Sequence, residues 1–349
     1  MQIRATHAGG GNLDDDVERA DGTGWVAVLQ VEGVVGERRS GGSHHHCSHL
    51  CIPLAGRSVD GLDRWRNRRK EYSVQPMCTT GVRRFSDGSY VLFKNKDFGR
   101  THLDDRLWLD HDLFGVLGMT TWEGDDPSLD VHSGFSVGAN RHGLLCCDSN
   151  VATLDHHVNY DVITEIALRE GTDVATAVAA VRAACQRSPV SWANLVLIDA
   201  HSAAGVEIRG TTAHVVPFEG PTARSNHHVE LGPHDRGQNS ETSSDRLASA
   251  QRRVDAARDL DHVFELLSSH DGDGSGVCNH RDLTTVYSYV LHVHHGVCNL
   301  HVTQGQPCRN GRTELTIPFG DRFDQQSAAT FLREYPTHHI DNAATAAIG

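Results

Sequence analysis

Lysine is almost absent from this chain. Of its 349 residues, 32 are basic and 45 acidic, and the only lysines are Lys70, Lys94 and Lys96. The formal net charge of −13 argues against a nucleic-acid partner, because neutralising phosphates requires basic patches. An acidic, arginine-rich composition is typical of proteins that work at high salt, where ions screen the repulsion between like charges. A GC-rich genome would also replace lysine by arginine, so a halophilic protein is one of two interpretations.

Long apolar runs are absent too. The most apolar stretch, Trp25 to Val35, is short and contains Gln30 and Glu32, so the sequence predicts no transmembrane helix and no membrane partner. No basic segment followed by an apolar one opens the chain, as an export signal would. The nine cysteines are scattered and odd in number, and without an export signal they predict reduced thiols and a cytoplasmic location.

Residues 1–77 differ in composition from the rest of the chain. They are rich in glycine, arginine, aspartate and histidine, with one strand-like run at Trp25 to Gln30. Such a segment buries too little apolar surface to offset its ordering entropy, so we expect it to be poorly ordered. It is either a propeptide removed before Cys78 or an upstream extension that the natural protein lacks, with Met77 as the true start.

Two short segments contain metal-binding residue types. His44-His45-His46-Cys47-Ser48-His49-Leu50-Cys51 has zinc ligands but no second pair spaced to complete a tetrahedral set. Asp271 to Asp282 resembles a calcium-binding EF-hand loop, but Leu283 to Val293 is strand-like where the motif requires a helix. We therefore predict no metal and no cofactor. A non-enzymatic metal-binding protein that uses the His/Cys tract stays as an alternative.

From residue 78 to about 325 the patterns change from strands to helices twice, and end in strands. Helical periodicity appears at Tyr160 to Arg169, Asp173 to Cys185, Ser244 to Arg258 and Leu260 to Ser269. Strand-like runs precede, separate and follow these two helical pairs. This order predicts an α+β fold, a four-layer αββα sandwich of two mainly antiparallel sheets. Residues 326–349 are expected to form a polar tail.

The segment from Cys78 to Asp97 suggests chemistry. A turn at Asp87-Gly88 separates two strand-like runs, so a hairpin returns Asp97 beside Cys78. If the amine of Cys78 were free, one residue would carry both a thiol nucleophile and a base, since an α-amine has a pKa of about 7.7–8.0. A half-buried cysteine at the start of a strand is the alternative explanation.

Further motifs follow in an order that resembles a known family. They are Cys78-Thr79-Thr80-Gly81, Lys94-Asn95-Lys96-Asp97-Phe98, Gly138-Ala139-Asn140-Arg141-His142-Gly143-Leu144, Asp199 with Val206-Glu207, Ser225-Asn226-His227, Ser243-Ser244-Asp245-Arg246, Cys278-Asn279-His280 and Gly305-Gln306-Pro307-Cys308. Over roughly residues 78–320 the chain resembles the N-terminal-nucleophile cysteine hydrolases. It is most similar to the isopenicillin N acyltransferase group, and more distantly to choloylglycine hydrolases and penicillin V acylases.

The resemblance implies roles for individual residues. Cys78 would be the nucleophile and its own amine the base, with Asp97 orienting both. Asn150 would donate to the oxyanion, and Asn226 and Arg246 would complete the catalytic set.

Two further positions would bind substrate, namely Lys94 and Asn140. Lys94 departs from the family, because choloylglycine hydrolases have arginine at this position and penicillin acyltransferases have glutamine. Bile-salt and penicillin substrates are therefore in doubt. Met77 in place of glycine before the cysteine weakens the case for self-cleavage.

The sequence thus predicts a cysteine hydrolase that acts on a linear amide of a small molecule through a thioester. The alternative within the same chemistry is an acyltransferase that passes the acyl group to an amine. Oligomeric state is left open, with a homo-oligomer as one expectation.

Overall fold

The structure is a computed structural model, and it describes residues 77–100, 103–121, 126–153, 157–232, 240–271, 276–281 and 283–336. The predicted N-terminal segment before Met77, with its His/Cys tract, and residues 337–349 lie outside the described residues. No helix within the described ranges has the length and apolar character needed to cross a membrane.

Within those ranges the chain forms thirteen strands and five α-helices. The strands are β1 (Met77–Arg84), β2 (Tyr90–Phe98), β3 (Leu107–Leu109), β4 (Leu113–Thr121), β5 (Val131–Asn140), β6 (Leu145–Asn150), β7 (Val190–Ile198), β8 (Ala203–Gly210), β9 (Thr212–Pro217), β10 (Thr222–Arg224), β11 (Thr284–His294), β12 (Val297–Gln304) and β13 (Thr313–Thr316). The helices are α1 (Tyr160–Glu170), α2 (Val174–Arg187), α3 (Ser240–Ala256), α4 (Leu260–Leu267) and α5 (Gln325–Glu334).

The strands form two sheets whose named neighbours all pair antiparallel. The six-stranded sheet has the order β10-β1-β2-β11-β12-β13, and the seven-stranded sheet runs from β3 to β9 in chain order. Helices α1 and α2 cover the outer face of the seven-stranded sheet, where Ile163 and Val181 pack on Leu195. Helices α3 and α4 cover the other sheet. The predicted four-layer αββα sandwich of antiparallel sheets is confirmed.

Strand β2 shows how this layering places side chains. All nine of its residues are buried. Because successive side chains point to opposite faces of a strand, alternate residues enter different cores. Leu92 lies in the core between the two sheets, whereas Val91 and Phe93 lie in the core beneath α3 and α4. The strand is therefore enclosed by protein on both faces.

The hairpin of β1 and β2 has the predicted turn. Gly88 adopts φ +85°, a left-handed value that favours glycine, and the Asp87 carboxylate accepts a hydrogen bond from the Ser89 amide at 2.9 Å. The register pairs Met77 with Asp97 and Cys78 with Lys96. The turn thus brings Asp97 opposite the residue that precedes the cysteine.

The structure differs from the prediction of a polar tail over residues 326–349. Residues 325–334 form α5, which begins with a reciprocal capping box between Asp324 and Ser327. Ala328, Phe331 and Leu332 are spaced by three and four residues and enter the core between the sheets. The polar residues of this segment lie on the opposite face of the helix. Because they outnumber the apolar residues, the segment was predicted to be a polar tail.

This packing predicts a large effect of truncating Phe331. Its ring contacts the ring of Phe114 edge-on at a centroid distance of 5.5 Å, and its side chain is almost fully buried. We expect Phe331→Ala to lower the free energy of unfolding by about 3–5 kcal/mol, measured by urea denaturation. The control is Arg333→Ala on the exposed face of α5, which should change stability by less than about 0.5 kcal/mol. Equal stabilities of the two variants would show that α5 is not part of the core.

Candidate active site

Cys78 is held at both of its backbone ends. It is the second residue of β1 and is 5% exposed. Its backbone N–H donates to Oδ1 of Asn226 at 2.8 Å, and its carbonyl oxygen accepts from Nη1 of Arg246 at 2.7 Å. The nitrogen that would become a free amine therefore already faces a side-chain acceptor.

Asn226 reaches Cys78 through the pairing of β10 with β1. The antiparallel register pairs Val82 with Thr222 and Thr80 with Arg224. Continued by two residues beyond β10, the same register places Asn226 opposite Cys78. The amide of Asn226 then links three elements. Its Oδ1 accepts from Nη2 of Arg246 at 2.9 Å, and its Nδ2 donates to the backbone oxygen and Oδ1 of Asn150 at 2.8 and 3.1 Å.

Arg246 of α3 is the cation of this cluster. It is one of the largest fully buried side chains, and its guanidinium also donates to Oγ1 of Thr79 at 3.1 Å. Burial lowers the pKa of Arg246, while Asp97 and Cys78 act in the opposite direction by favouring its charged form. A guanidinium remains charged even under such a shift, so Arg246 supplies a fixed positive charge near the thiol.

Asp97 lies beside the peptide bond that precedes Cys78. Its Oδ1 accepts from Oγ1 of Thr285 at 2.7 Å, and Thr285 lies opposite it on β11. Within the described residues, Oδ2 of Asp97 is buried without a hydrogen-bond partner. Burial raises the pKa of Asp97 to about 6, against the lowering effects of Arg246, Thr285 and Asn279. This carboxylate has the position and the spare oxygen to accept from an amine.

Burial favours the protonated form of the Cys78 thiol. Burial raises its pKa to about 11, although the Lys94 charge and a hydrogen bond from the Asp97 backbone lower it in part. At neutral pH such a thiol carries its proton, and the thiolate is the nucleophilic form. A base at the site is therefore needed before Cys78 can attack a carbonyl.

Lys94 lies between the two sheets, and all three N–H groups of its ammonium have hydrogen-bond partners within the protein. Its ammonium donates to the backbone oxygen and Oγ of Ser136 at 2.9 and 2.6 Å, and to Oδ1 of Asp148 at 3.0 Å. These three bonds match its three donors. Burial alone would lower the pKa of Lys94, but Asp148 and Cys78 raise it above its ordinary value. Lys94 thus acts on Cys78 through its charge.

Asn140 has a different environment from the other predicted site residues. Its Nδ2 donates to the backbone oxygens of Leu168 and Gly171 at 2.9 and 2.7 Å, at the end of α1. Its Oδ1 accepts from the amides of His142 and Leu144 at 3.1 and 3.2 Å. These bonds join the β5–β6 turn to α1, and none of them involves a residue of the Cys78 cluster. Its substrate-binding role stays a prediction.

The structure therefore brings Cys78, Asp97, Asn150, Asn226 and Arg246 into one cluster and adds residues that the sequence reasoning missed. Asp148 is two positions before Asn150 on β6, so the alternation of a strand places both side chains on one face. That signal was readable in the sequence. Thr285 had no such signal, because its contact with Asp97 depends on the pairing of β11 with β2.

Two surface grooves lie apart from this cluster. One groove is lined by residues of β13 and α5, including Leu315 and Phe331, and another by residues that include Phe264, His301 and Arg312. Cys78 lines neither.

No protein-family model matches the chain, and no curated protein matches it in sequence. Among solved structures it resembles a conjugated bile acid hydrolase from Clostridium perfringens, with 14% identity, 69% of this chain and 92% of that chain covered, and a TM-score of 0.44. It also resembles a penicillin V acylase from Agrobacterium tumefaciens, with 14% identity, coverage of 69% and 86%, and a TM-score of 0.45. A third is the Caenorhabditis elegans ortholog of N-acylethanolamine-hydrolyzing acid amidase, with 15% identity, coverage of 61% and 92%, and a TM-score of 0.38.

Because these TM-scores are below 0.5, the roles of individual residues are argued only from the side-chain contacts of this chain. The finer resemblance to the isopenicillin N acyltransferase group stays a prediction.

The contacts of Asn140 predict a structural effect for its removal. Asn140→Ala leaves two buried carbonyls and two amides without their partners, so we expect stability to fall by about 2–4 kcal/mol. The Michaelis constant of the same variant tests the predicted substrate-binding role. Asn299→Ala, which removes one exposed hydrogen bond to Thr316 at 2.8 Å, is the control. An increased Michaelis constant at unchanged stability would instead support substrate binding.

The raised pKa of Asp97 predicts how stability varies with pH. A carboxyl whose pKa is about 6 when folded and about 3.9 when unfolded stabilises the fold below the unfolded value. That contribution is lost as the pH rises through the folded value. We expect the stability of the wild type relative to Asp97→Asn to fall by about 2–3 kcal/mol between pH 4 and pH 7, measured by denaturation. A difference that does not vary with pH would show that the Asp97 carboxyl titrates as it does in the unfolded chain.

Proposed function

We propose that this protein is a cysteine-dependent hydrolase of linear amides, active once Cys78 is the N-terminal residue. The observation that carries the proposal is the clamp on Cys78, in which Asn226 holds its backbone nitrogen and Arg246 its carbonyl. The β1–β10 pairing ends before Cys78, and these two backbone groups are satisfied by side chains instead of by a neighbouring strand. The clamp fixes the nitrogen relative to the thiol, which a base on the same residue requires.

Cleavage before Cys78 would supply the missing base. The freed amine, with an ordinary pKa of about 7.7–8.0, takes the thiol proton as the sulfur attacks the amide carbonyl. The C–S bond forms, and the carbonyl oxygen becomes an oxyanion. The ammonium then gives its proton to the leaving nitrogen, the C–N bond breaks, and a thioester remains on Cys78. Water then attacks the thioester carbonyl as the amine takes its proton. The C–S bond breaks, the ammonium returns the proton to the sulfur, and the carboxylic acid leaves.

The neighbouring side chains have distinct roles in this scheme. Asp97 would orient the amine through its unused carboxylate oxygen and stabilise the ammonium that forms. Asn150 would donate to the oxyanion, a contact whose loss costs about 2.7–4 kcal/mol in a comparable site. Arg246 and Lys94 would stabilise the thiolate, since both charges lie near Cys78.

Acyl transfer is the same chemistry with a different final acceptor. If an amine rather than water attacks the thioester, the product is a new amide. The enclosed position of Cys78 suits either outcome, and the identity of the acyl group is open. Met77 is also buried, at 7% exposure, and cleavage before Cys78 would remove this neighbour of the thiol.

The proposal predicts activity that depends on both the sulfur and the free amine of Cys78. A chain that begins at Met77 and is trimmed to Cys78, confirmed by intact mass, should hydrolyse members of a panel of N-acyl amides with a fluorogenic amine. Cys78→Ala should lose at least about a thousandfold in kcat/KM, and the uncleaved full chain should be inactive. The acyl-enzyme should appear as the added mass of the acyl group.

The matched control is Cys185→Ala, which removes another buried thiol on α2 and should retain activity. Adding hydroxylamine to the assay separates the two acceptors, because an acyltransferase would divert most of the product to the hydroxamate. Turnover by Cys78→Ala, or equal turnover by uncleaved full chain, would contradict the mechanism.

A further inference from the structure

Four metal-ligating side chains converge at a second place in the fold. They are His270 after α4, Cys278 and His280 before β11, and Cys308 after β12, and their ligand atoms all lie within 4.8 Å of one another. Three of the contributing residues stand in the motifs Cys278-Asn279-His280 and Gly305-Gln306-Pro307-Cys308. None of the four takes part in the proposed mechanism. Cys278 is buried and Cys308 is exposed, so the cluster lies at the protein surface.

Four of the six separations among these atoms are close to those of a tetrahedral ligand set. Sγ of Cys278 lies 3.5 Å from Sγ of Cys308 and 3.5 Å from Nε2 of His280. Nε2 of His280 lies 3.1 Å from Sγ of Cys308 and 2.9 Å from Nε2 of His270. Zinc bonds of about 2.3 Å to sulfur and about 2.0–2.1 Å to nitrogen give tetrahedral edges of roughly 3.3–3.8 Å. These four separations lie within about 0.5 Å of such edges, and the two from His270 to the cysteines are at most 4.8 Å, so modest side-chain shifts would centre a zinc ion.

We propose that His270, Cys278, His280 and Cys308 form a structural zinc site. Two thiolates and two neutral imidazoles are a donor set that zinc prefers, and they leave no ligand position open. The two cysteines would lose their protons to solvent on binding, and the resulting thiolates would cancel the charge of Zn²⁺. A neutral site suits the buried position of Cys278, since an uncompensated charge would be costly there.

Local hydrogen bonds already hold the ligand-bearing segments together. The Cys278 amide donates to the backbone oxygen of Ser269, the residue before His270, at 3.0 Å. The side chain of Gln306, two residues before Cys308, donates to Oγ1 of Thr284 at 2.6 Å. Segments from three parts of the chain are therefore in place before a metal arrives, which lowers the ordering cost of binding.

The zinc site would also support the cluster around Cys78. Asn279 lies between two of the proposed ligands, Cys278 and His280. The Asn279 backbone N–H donates at 2.9 Å to Oγ1 of Thr285, which in turn donates to Asp97. Fixing residues 278 and 280 would thus hold Thr285, the hydrogen-bond partner of the Asp97 carboxylate, through the Asn279 backbone. This supporting role rests on the proposed function, whereas the zinc site itself does not.

The neighbouring acidic loop does not compete for this assignment. Residues 272–275 and 282 of the EF-hand-like stretch lie outside the described residues. Asp271, its first position, pairs through Oδ1 with Arg253 at 3.0 Å and through Oδ2 with Arg252 at 3.3 Å. Its carboxylate is thus already engaged by arginines of α3, while the histidine and cysteine ligands on either side of the loop face each other.

The test is metal content and cobalt spectroscopy on the full chain. The wild type, reduced, loaded with zinc and desalted, should hold about one zinc more than Cys308→Ser, measured by mass spectrometry of the metal. A variant of the other tract, His44→Ala with Cys47→Ala and Cys51→Ala, should keep that zinc, as should Cys185→Ala. Cobalt added to the metal-free wild type should give the intense visible bands of a tetrahedral ion with thiolate charge-transfer absorption.

The cobalt spectrum keeps the proposal testable if Cys308→Ser does not fold. Three results would overturn it: a zinc content in folded Cys308→Ser equal to that of the wild type, loss of all zinc with the tract variant, or cobalt spectra of an octahedral ion without thiolate bands. The proposal would also be overturned if Cys278 and Cys308 form a disulfide in the native protein and no metal binds after that disulfide has been reduced. Amide hydrolysis enters none of these readouts, so failure here leaves the proposed function standing.

Discussion

Charge buried away from water must be balanced inside the protein, and this constraint organises the centre of the fold. Lys94 on β2 is paired with Asp148 on β6, which joins the two sheets across their interface. Lys96, also on β2, pairs with Asp105 at 3.3 Å. Arg246 on α3 balances Asp97 from the other face of the same sheet. Because these groups are buried, removing one partner would leave a charge that the interior cannot solvate. The groups that surround Cys78 are therefore the same groups that hold the layers in register.

Much of the architecture was predictable because it depends on local periodicity. The Asp87-Gly88 turn, the two helical pairs and the strand-like run after residue 283 all follow from patterns within a single segment. Helix α5 was missed because polar residues outnumber the apolar ones in its segment, although its capping signal at Asp324 was present. The Lys94–Asp148 pair could not be derived from sequence, since it joins strands of different sheets. Predicting it would have required the packing of the sheets, which no single segment encodes.

The two asparagines Asn140 and Asn226 show the same limit at the level of the site. Both follow or end a strand, and both stand in motifs that suggested a functional role. The side chain of Asn140 forms its hydrogen bonds with the β5–β6 turn and with the end of α1. Asn226 instead joins β1, β6 and α3 around the cysteine nitrogen. The residue type is equal in the two cases, so only the partners that the tertiary fold supplies distinguish a structural amide from one poised beside a nucleophile.

Asp97 is the residue on which these observations converge. Burial opposes its ionisation, and an ionised form is what an adjacent amine requires. A buried carboxylate that must ionise therefore needs hydrogen-bonding and charged partners that are already held in place. Arg246 is anchored by its bonds to Cys78 and Asn226. Thr285 accepts from the backbone N–H of Asn279, which lies between two of the proposed zinc ligands. A metal bound by those ligands would make the carboxylate environment rigid from one side, while α3 does so from the other. The surface cluster of histidines and cysteines and the buried cluster around Cys78 are then parts of one arrangement, with Asp97 between them.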